Sequence, residues 1–203
     1  MVPGTAYRNL EPDVMPNFVS IEDAVCLLRT AKRISVVGVS GAGKSTLSRR
    51  LAASLNLRSV SLDRDMRWMP GWTVRDKDEQ RDLHDAFVAG DRWVIDGTNI
   101  SFMDTRLPRS DFLIWLRLPR SAALAGIAKR VTIGYGRVRP DMAAGCPEKL
   151  PGLEFLSWIW KFESRQSPRL ISTIDTFAPD LPILVLRSRA DRDRFTKLID
   201  VAR

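Results

Sequence analysis

Short apolar runs alternate with amphipathic stretches along the chain. Runs of β-branched and other apolar residues predict five strands, at 34–39, 59–62, 93–95, 112–118 and 183–186. Apolar residues spaced three and four apart predict helices over 46–55, 119–130 and 191–201. A further helix begins at Ser20, with Asp23 placed as in a capping box. Strands that alternate with helices predict a parallel sheet covered on both faces.

The predicted domain organisation is simple. Residues 1–17 carry three prolines and no periodicity, which predicts an extended N-terminal segment. Residues 18–203 carry no repeat and no linker, and we expect one domain there. Within that domain, residues 131–152 are rich in glycine and proline. We call this segment the excursion, and we expect it to act as a lid because long excursions in compact domains often do.

Composition excludes several classes of protein. With 44% hydrophobic and 28% charged residues the chain is globular, not disordered, collagen-like or a coiled coil. Cys26 and Cys146 form no C-x-x-C pattern, which excludes a disulfide scaffold and a cysteine zinc site and fits a reducing cytoplasm. No apolar run has the roughly 18 residues of a membrane helix, so we expect a cytoplasmic protein without a membrane partner.

Net charge points to an anionic partner. The formal charge is +8, and most of the 32 basic residues are arginine. The guanidinium fork matches phosphate oxygens, so nucleic acid or phosphorylated small molecules fit this balance. A high-GC genome that encodes arginine in place of lysine explains the same bias, so charge alone does not decide the function.

Residues 38–45 match the phosphate-binding loop pattern G-x-x-x-x-G-K-[ST], with a predicted strand before them and a helix after them. Glycines let successive N–H groups point at an anion, and the helix adds the positive end of its dipole. Lysine reaches the β- and γ-phosphates, and the following hydroxyl serves Mg²⁺. The expected nucleotide-binding residues are Gly38, Ser40, Gly41, Ala42, Gly43, Lys44, Ser45 and Thr46.

Two predicted strands end in aspartate, and ligands of open parallel sheets bind beyond that end. Asp96 is expected to hold Mg²⁺ together with Ser45. Asp63 is expected to orient or deprotonate an acceptor hydroxyl, work that Asp65 could share. Gly97 stands where motor ATPases carry a carboxylate, and no N-K-x-D segment reads guanine, so a mechanical ATPase and a switch GTPase are disfavoured.

Arginines supply the remaining candidates. The span 117–139 contains six cations and no acid. Phosphoryl transfer needs positive charge on the migrating group in a closed, dry site, so we expect Arg130, Arg137 and Arg139 to close over it. Arg106 and Arg109 could bind an acceptor phosphate. Trp72 could form a wall of the acceptor pocket, although structural packing explains it equally well.

Taken together, several stretches resemble the FlaR-type "topology modulation" proteins, which are P-loop proteins related to adenylate kinase. They are Gly38 to Thr46, Leu62-Asp63 with Trp68-x-Pro70-Gly71-Trp72, Trp93 to Gly97, Arg106 to Asp111, and Gly136-Arg137-x-Arg139-Pro140-Asp141-Met142 with Gly145 to Glu148.

The resemblance implies an α/β three-layer P-loop NTPase fold. Its features are a five-stranded parallel sheet of order 2-3-1-4-5, a nucleoside-kinase-like lid, and an adenine site near Arg187. The family's name implies a link to DNA supercoiling. Thr98-Asn99 replaces the usual Asn-Tyr pair, and the Phe-Pro-Arg of nucleoside monophosphate kinases is missing. AMP is therefore not assumed as the acceptor.

The sequence favours an ATP- and Mg²⁺-dependent kinase. It would transfer the γ-phosphate to a small acceptor that is phosphorylated or nucleotide-like. The expected catalytic residues are Lys44, Asp63, Arg130, Arg137 and Arg139. Two alternatives stay open at this point. One is an ATP-dependent DNA-binding regulator of DNA topology with slow hydrolysis, and the other is an ATP-binding protein without catalysis.

Overall fold

The structure, a computed structural model, describes residues 16–201. The α-helices are α1 (Ile21–Leu28), α2 (Lys44–Leu55), α3 (Lys77–Val88), α4 (Met103–Arg106), α5 (Arg120–Gly134), α6 (Leu153–Phe177) and α7 (Arg189–Val201). The strands are β1 (Arg33–Gly38), β2 (Arg58–Ser61), β3 (Trp68–Met69), β4 (Thr73–Val74), β5 (Trp93–Asp96), β6 (Phe112–Leu116) and β7 (Ile183–Leu186). A π-helical segment, Leu62–Arg67, follows β2, and short 3₁₀ turns lie at Pro70–Trp72, Ile100–Phe102 and Leu107–Arg109.

Five of the strands form one parallel sheet of order β2-β5-β1-β6-β7. Numbering only these strands along the chain gives the order 2-3-1-4-5, as predicted. In the register Val36 of β1 lies opposite Asp96 of β5 and Ile114 of β6. Because all five strands are parallel, their carboxyl ends meet at one edge of the sheet, and the loops there form the candidate site.

Helices cover both faces of the sheet. On one face, Ile34, Val36 and Ile114 pack in a cluster with residues of α1, α2, α5 and α7. On the other face, Val37 and Trp115 pack with α4 and the second half of α6. Every residue of β6 is buried, which is why its sequence lacks the polar alternation of a half-exposed strand. The predicted three-layer α/β fold is confirmed.

Helix α3 was absent from the predicted elements, and its buried face explains why. Asp76 caps the helix by accepting a hydrogen bond from the Asp78 N–H. Its core-facing positions are Gln80, His84 and Val88, at a spacing of four. Two polar residues on the buried face hide the apolar period from which helices are predicted. His84 is fully buried although several of its neighbours in the sequence are charged.

The predicted N-terminal segment 1–17 lies mostly outside the described residues. Its last residue is described: the Asn17 carbonyl accepts a hydrogen bond from the Ile183 N–H at 2.8 Å, and the Val19 N–H donates to the Ile183 carbonyl at 3.0 Å. The chain therefore enters the domain along the edge of β7. Among helices within residues 16–201, none has the length and apolar composition needed to cross a bilayer.

Candidate functional site

The predicted phosphate-binding loop connects β1 to α2, and its glycines are needed for its shape. Gly41 and Gly43 have φ angles of +85° and +93°, in the region that favours glycine. A Cβ on Gly38 would lie 2.4 Å from the Leu116 carbonyl oxygen, and one on Gly41 would lie 2.3 Å from the Ala123 carbonyl oxygen. The loop is therefore curled and pressed against β6 and α5.

Lys44 points back over this loop. Its Nζ donates to the Val39 carbonyl at 3.2 Å, which places the ammonium group within the curl of the backbone. A triphosphate bound by the loop amides would meet the ammonium group there. The predicted position of Lys44 thus agrees with a phosphate-binding role.

Ser45 and Asp96 come together at the carboxyl ends of β1 and β5. Asp96 is 5% exposed. Burial is the main influence on its carboxyl and raises the pKa, while Lys44 and a hydrogen bond from Ser45 lower it. Within the described part of the chain, Asp96 Oδ1 has no hydrogen-bond partner. A buried carboxylate oxygen without a partner beside a hydroxyl provides the hard oxygen ligands that Mg²⁺ prefers.

The two aspartates after β2 have different environments. Asp63 is exposed at the start of the π-helical segment, and its charge contributes to the raised pKa of Asp96. Asp65 instead accepts a hydrogen bond from the Ser61 N–H at 2.8 Å and from Arg64 Nε at 2.7 Å. Asp65 therefore stabilises the turn, whereas Asp63 is close enough to Asp96 for its charge to act on that carboxyl.

The excursion is docked on the segment that follows β2. Met142 and Cys146 are buried against Trp68 and Trp72. The Trp72 indole N–H donates to the Pro147 carbonyl at 3.1 Å. Trp72 thus anchors the excursion to the segment after β2, and its role as a wall of an acceptor pocket stays a prediction.

Two of the three predicted lid arginines meet at one acid, Glu148. Arg130 Nε donates to Glu148 Oε1 at 2.9 Å, and Arg139 Nε lies 2.7 Å from Glu148 Oε2. Arg130 Nη1 also lies 3.5 Å from the Ser40 hydroxyl of the phosphate-binding loop. Arg137 is exposed on the excursion, and its role stays a prediction. Sequence reasoning missed Glu148, because nothing in the pattern shows which acid a folded segment brings to these arginines.

Of the two arginines predicted to bind an acceptor phosphate, Arg109 points away from the site, and the role of Arg106 stays a prediction. Arg106 is fully buried, where burial lowers its pKa to about 10 and Asp96 opposes that shift. Within residues 16–201, the Nε, Nη1 and Nη2 atoms of Arg106 have no hydrogen-bond partner. Arg109 donates to the Ala89 carbonyl at 3.2 Å, at the amino edge of the sheet, opposite the phosphate-binding loop. Nothing in the sequence indicates that one side chain extends into the core and the other toward the amino edge.

Two arginines, Arg187 and Arg192, follow β7 on the nucleotide side of the site. Arg187 directly follows β7 at the same edge, and its N–H donates to the Asp191 carboxylate at 2.9 Å. Arg192, not expected from the sequence, lies against the loop, since a Cβ on Gly43 would lie 3.1 Å from its Nη1.

Thr98 is another residue that the sequence did not single out. Its hydroxyl accepts a hydrogen bond from the Gly38 N–H at 2.7 Å and donates to the Gly38 carbonyl at 2.9 Å. Thr98 follows Asp96 by two positions, so one turn connects the predicted metal ligand to the first residue of the loop. The turn that differs from the usual Asn-Tyr pair thus has a positioning role here.

Solved structures share this architecture. A shikimate kinase from Acinetobacter baumannii in complex with shikimate is 15% identical, with a TM-score of 0.54 over 87% of this chain and 96% of that chain. A gluconokinase from Sinorhizobium meliloti 1021 is 16% identical, with a TM-score of 0.46 over 86% of this chain and 95% of that one. The likeness to the shikimate kinase concerns the fold alone. Among curated proteins none matches the chain.

The sequence itself matches one family. The match is to the AAA domain and covers residues 34–137, from β1 into the excursion. It includes the phosphate-binding loop, both strand-end aspartates and Arg130. The chain belongs to the AAA domain family of P-loop NTPases.

Proposed function

We propose that this protein is an ATP- and Mg²⁺-dependent phosphotransferase that acts on a small molecule with a free hydroxyl. One observation carries the proposal: Lys44, Ser45, Asp96 and Asp63 converge at the edge of the sheet where the phosphate-binding loop lies. Lys44, Ser45 and Asp96 would bind the donor nucleotide and its Mg²⁺. Asp63 adds an exposed carboxylate beside them, and a protein that only binds ATP has no need of it.

The donor side would work by binding and neutralising charge. Loop amides and Lys44 would hold the β- and γ-phosphates, and Arg187 with Arg192 border the side on which the base would lie. Ser45 and Asp96 would hold Mg²⁺, which neutralises phosphate charge when bound. Because little covalent chemistry remains for the protein in phosphoryl transfer, these contacts would provide most of the catalysis.

Asp63 would serve the acceptor. Its carboxylate would orient the acceptor hydroxyl and accept its proton as the oxygen forms a bond to the γ-phosphorus. The bond from that phosphorus to the bridging oxygen then breaks, and ADP leaves with the electron pair. Arg130 and Arg139 would face the charge that develops on the transferring group, and Arg137 would join them if the excursion moves inward.

The nature of the acceptor needs revision. A phosphorylated acceptor was expected partly because Arg106 and Arg109 follow Asp96, but Arg109 lies at the opposite edge of the sheet and Arg106 is buried. What remains on the acceptor side is Asp63 and the indole of Trp72, because the Ser61 hydroxyl already donates to the Asp141 carbonyl at 3.2 Å. These groups fit a hydroxyl-bearing molecule and do not require a phosphate on it. Membership of the FlaR-type branch, supported by the excursion sequence up to Glu148, is part of the same proposal.

The DNA-binding alternative loses support because many arginines have acidic partners. Arg33 pairs with Asp111 at 2.7 Å, and Arg81 pairs with Asp104 at 2.9 Å. Others of this kind are Arg50 with Asp200, Arg64 with Asp65, Arg117 with Glu163, and Arg194 with Glu22. Each of these pairs neutralises an arginine, so fewer arginines remain to form the continuous basic surface that binds nucleic acid.

An acceptor screen tests the proposal. The full chain is incubated with ATP, Mg²⁺ and a panel of hydroxylated small molecules, and ADP release is measured, with Lys44→Ala as the blank. We expect one class of acceptor to raise ADP release many-fold in the wild type only. Steeply salt-dependent binding of duplex DNA, without any acceptor effect, would replace the proposal by the regulator.

A further inference from the structure

Glu148 is the most buried charged group of the excursion. Its side chain is 2% exposed, while those of its partners Arg130 and Arg139 are 23% and 19% exposed. A carboxylate so far from water is costly unless cations and hydrogen bonds compensate it. Glu148 does not contact the phosphate-binding loop. It contacts the two arginines that are expected to bind phosphate.

Glu148 in turn stabilises the positive charges of the two arginines. Burial lowers the pKa of Arg130, and the nearby positive charge of Arg139 lowers it further. Glu148 opposes both effects by its charge and its hydrogen bond. Without the acid, two partly buried like charges would repel each other and move apart. Glu148 thus allows them to lie side by side.

The contacts of the acid leave part of each guanidinium available. Arg130 uses Nε for Glu148 and turns Nη1 toward Ser40 of the loop. Arg139 Nε forms an ion pair with Glu148 without a hydrogen bond, and Arg139 Nη1 donates to Asp141 at 2.8 Å. The Nη2 groups of both arginines have no hydrogen-bond partner among residues 16–201. Each Nη2 carries two N–H donors, so a phosphate group can still be bound.

Glu148 is itself held on both sides by the backbone. Its N–H donates to the Arg137 carbonyl at 2.9 Å, and its carbonyl accepts from the Gly136 N–H at 2.9 Å. The preceding carbonyl, that of Pro147, accepts the indole N–H of Trp72 at 3.1 Å. The acid is therefore anchored to the segment after β2, on the acceptor side of the site. Groups held in this way can preorganise a charged constellation.

We propose that Glu148 is a positioning residue, which holds Arg130 and Arg139 together so that both bind the γ-phosphate of the nucleotide. This inference rests on the proposed function, because it assumes a triphosphate in the loop. It adds that recognition of the third phosphate depends on an acid of the excursion that does not touch the nucleotide. Glu148 acts through its two arginines and is not a catalytic residue.

The test compares nucleotides that differ in the third phosphate. Calorimetry of the full chain with Mg²⁺ gives the dissociation constants of the ATP analogue AMP-PNP and of ADP, for the wild type, Glu148→Gln and Glu154→Gln. Glu154 is an exposed acid on α6 and serves as the charge-matched control. We expect wild type and Glu154→Gln to prefer AMP-PNP. In Glu148→Gln that preference falls at least fivefold, with ADP affinity unchanged.

The other outcomes are equally decisive. A preference that is unchanged or stronger in Glu148→Gln would show that the acid only neutralises charge, and would overturn the inference. Equal binding of the two nucleotides by the wild type would overturn it as well. A purely structural role would weaken ADP binding in parallel. If Glu148→Gln does not fold, Arg139→Gln replaces it, and the same selective loss is expected.

Failure of the proposed function has a different signature. If the wild type discriminates the nucleotides, and Glu148→Gln loses that discrimination, but no acceptor stimulates ADP release, the positioning role stands and the transfer reaction does not. If an acceptor is found, kcat of Glu148→Gln should fall about tenfold, because the arginines must be ordered in each turnover.

Discussion

The Thr98 hydroxyl binds both backbone groups of Gly38, accepting from its N–H and donating to its carbonyl. The first residue of the phosphate-binding loop is thereby fixed to the turn that follows Asp96. A single side chain thus connects the part of the site that would bind phosphate to the part that would bind metal.

Thr98→Val should remove the connection between the phosphate-binding loop and the turn that follows Asp96. Valine has nearly the same shape but leaves the N–H and carbonyl of Gly38 without this partner, so we expect a loss of about 1–3 kcal/mol in the free energy of unfolding. ATP affinity should fall with it. Denaturant unfolding and calorimetry measure both, and Thr98→Ser, which keeps the hydroxyl, should behave like the wild type. Equal stability of the valine and serine variants would contradict this role.

Gly126→Ala should impair the loop from the opposite side. A Cβ on Gly126 would lie 2.1 Å from the Gly41 carbonyl oxygen, so α5 or the loop must move. In an open helix the change would stabilise by about 1 kcal/mol, but overpacking here should cost about 1–3 kcal/mol. We expect lower thermal stability and lost ATP binding.

Gly134→Ala is the control for that variant. It lies on the same helix, and its Cβ would make an ordinary contact of 4.0 Å with Glu148 Cβ. It should bind ATP like the wild type. Normal ATP affinity in Gly126→Ala would mean that the close contact with Gly41 does not shape the loop.

Asp63→Asn should lower activity, whereas Asp65→Asn should lower stability. The first removes the proposed proton acceptor, so kcat with an acceptor should drop about 100-fold while stability changes by less than about 0.5 kcal/mol. The second weakens the contacts with Ser61 and Arg64, so it should lose about 1 kcal/mol of stability. Steady-state kinetics and urea unfolding separate the two effects. Full activity in Asp63→Asn would remove this carboxylate from the mechanism.

His84 should make stability depend on pH. Burial, followed by the charge of Arg106, lowers the pKa of His84 to about 4, against 6.5 in the unfolded chain. The unfolded state therefore takes up a proton first, and stability should fall by at most about 1.4 kcal/mol per pH unit below about 6.5, levelling off near pH 4.

His84 is the only histidine of the chain, which makes this effect separable. Between pH 7 and 5, His84→Gln should show a much flatter dependence of the unfolding free energy on pH, because carboxylates titrate mainly lower. The same slope in both proteins would show that another group is responsible.

The sequence by itself determined the sheet and the nucleotide side of the site. Alternating apolar runs and the spacing of 38–45 are local features, and the parallel topology places Ser45 and Asp96 at one edge, as predicted. Helix α3 could not be predicted from the local pattern, because it buries the polar residues Gln80 and His84. Hydrophobic periodicity reveals only helices whose buried face is apolar.

Only the tertiary structure decided which charged side chains reach the site. Arg106 and Arg109 follow Asp96 in sequence, but one turns into the core and the other toward the amino edge. Glu148 is distant in sequence from Arg130 and still lies 2.9 Å from it. Long side chains extend in any direction from their helix or loop, so their partners depend on how separate segments pack together.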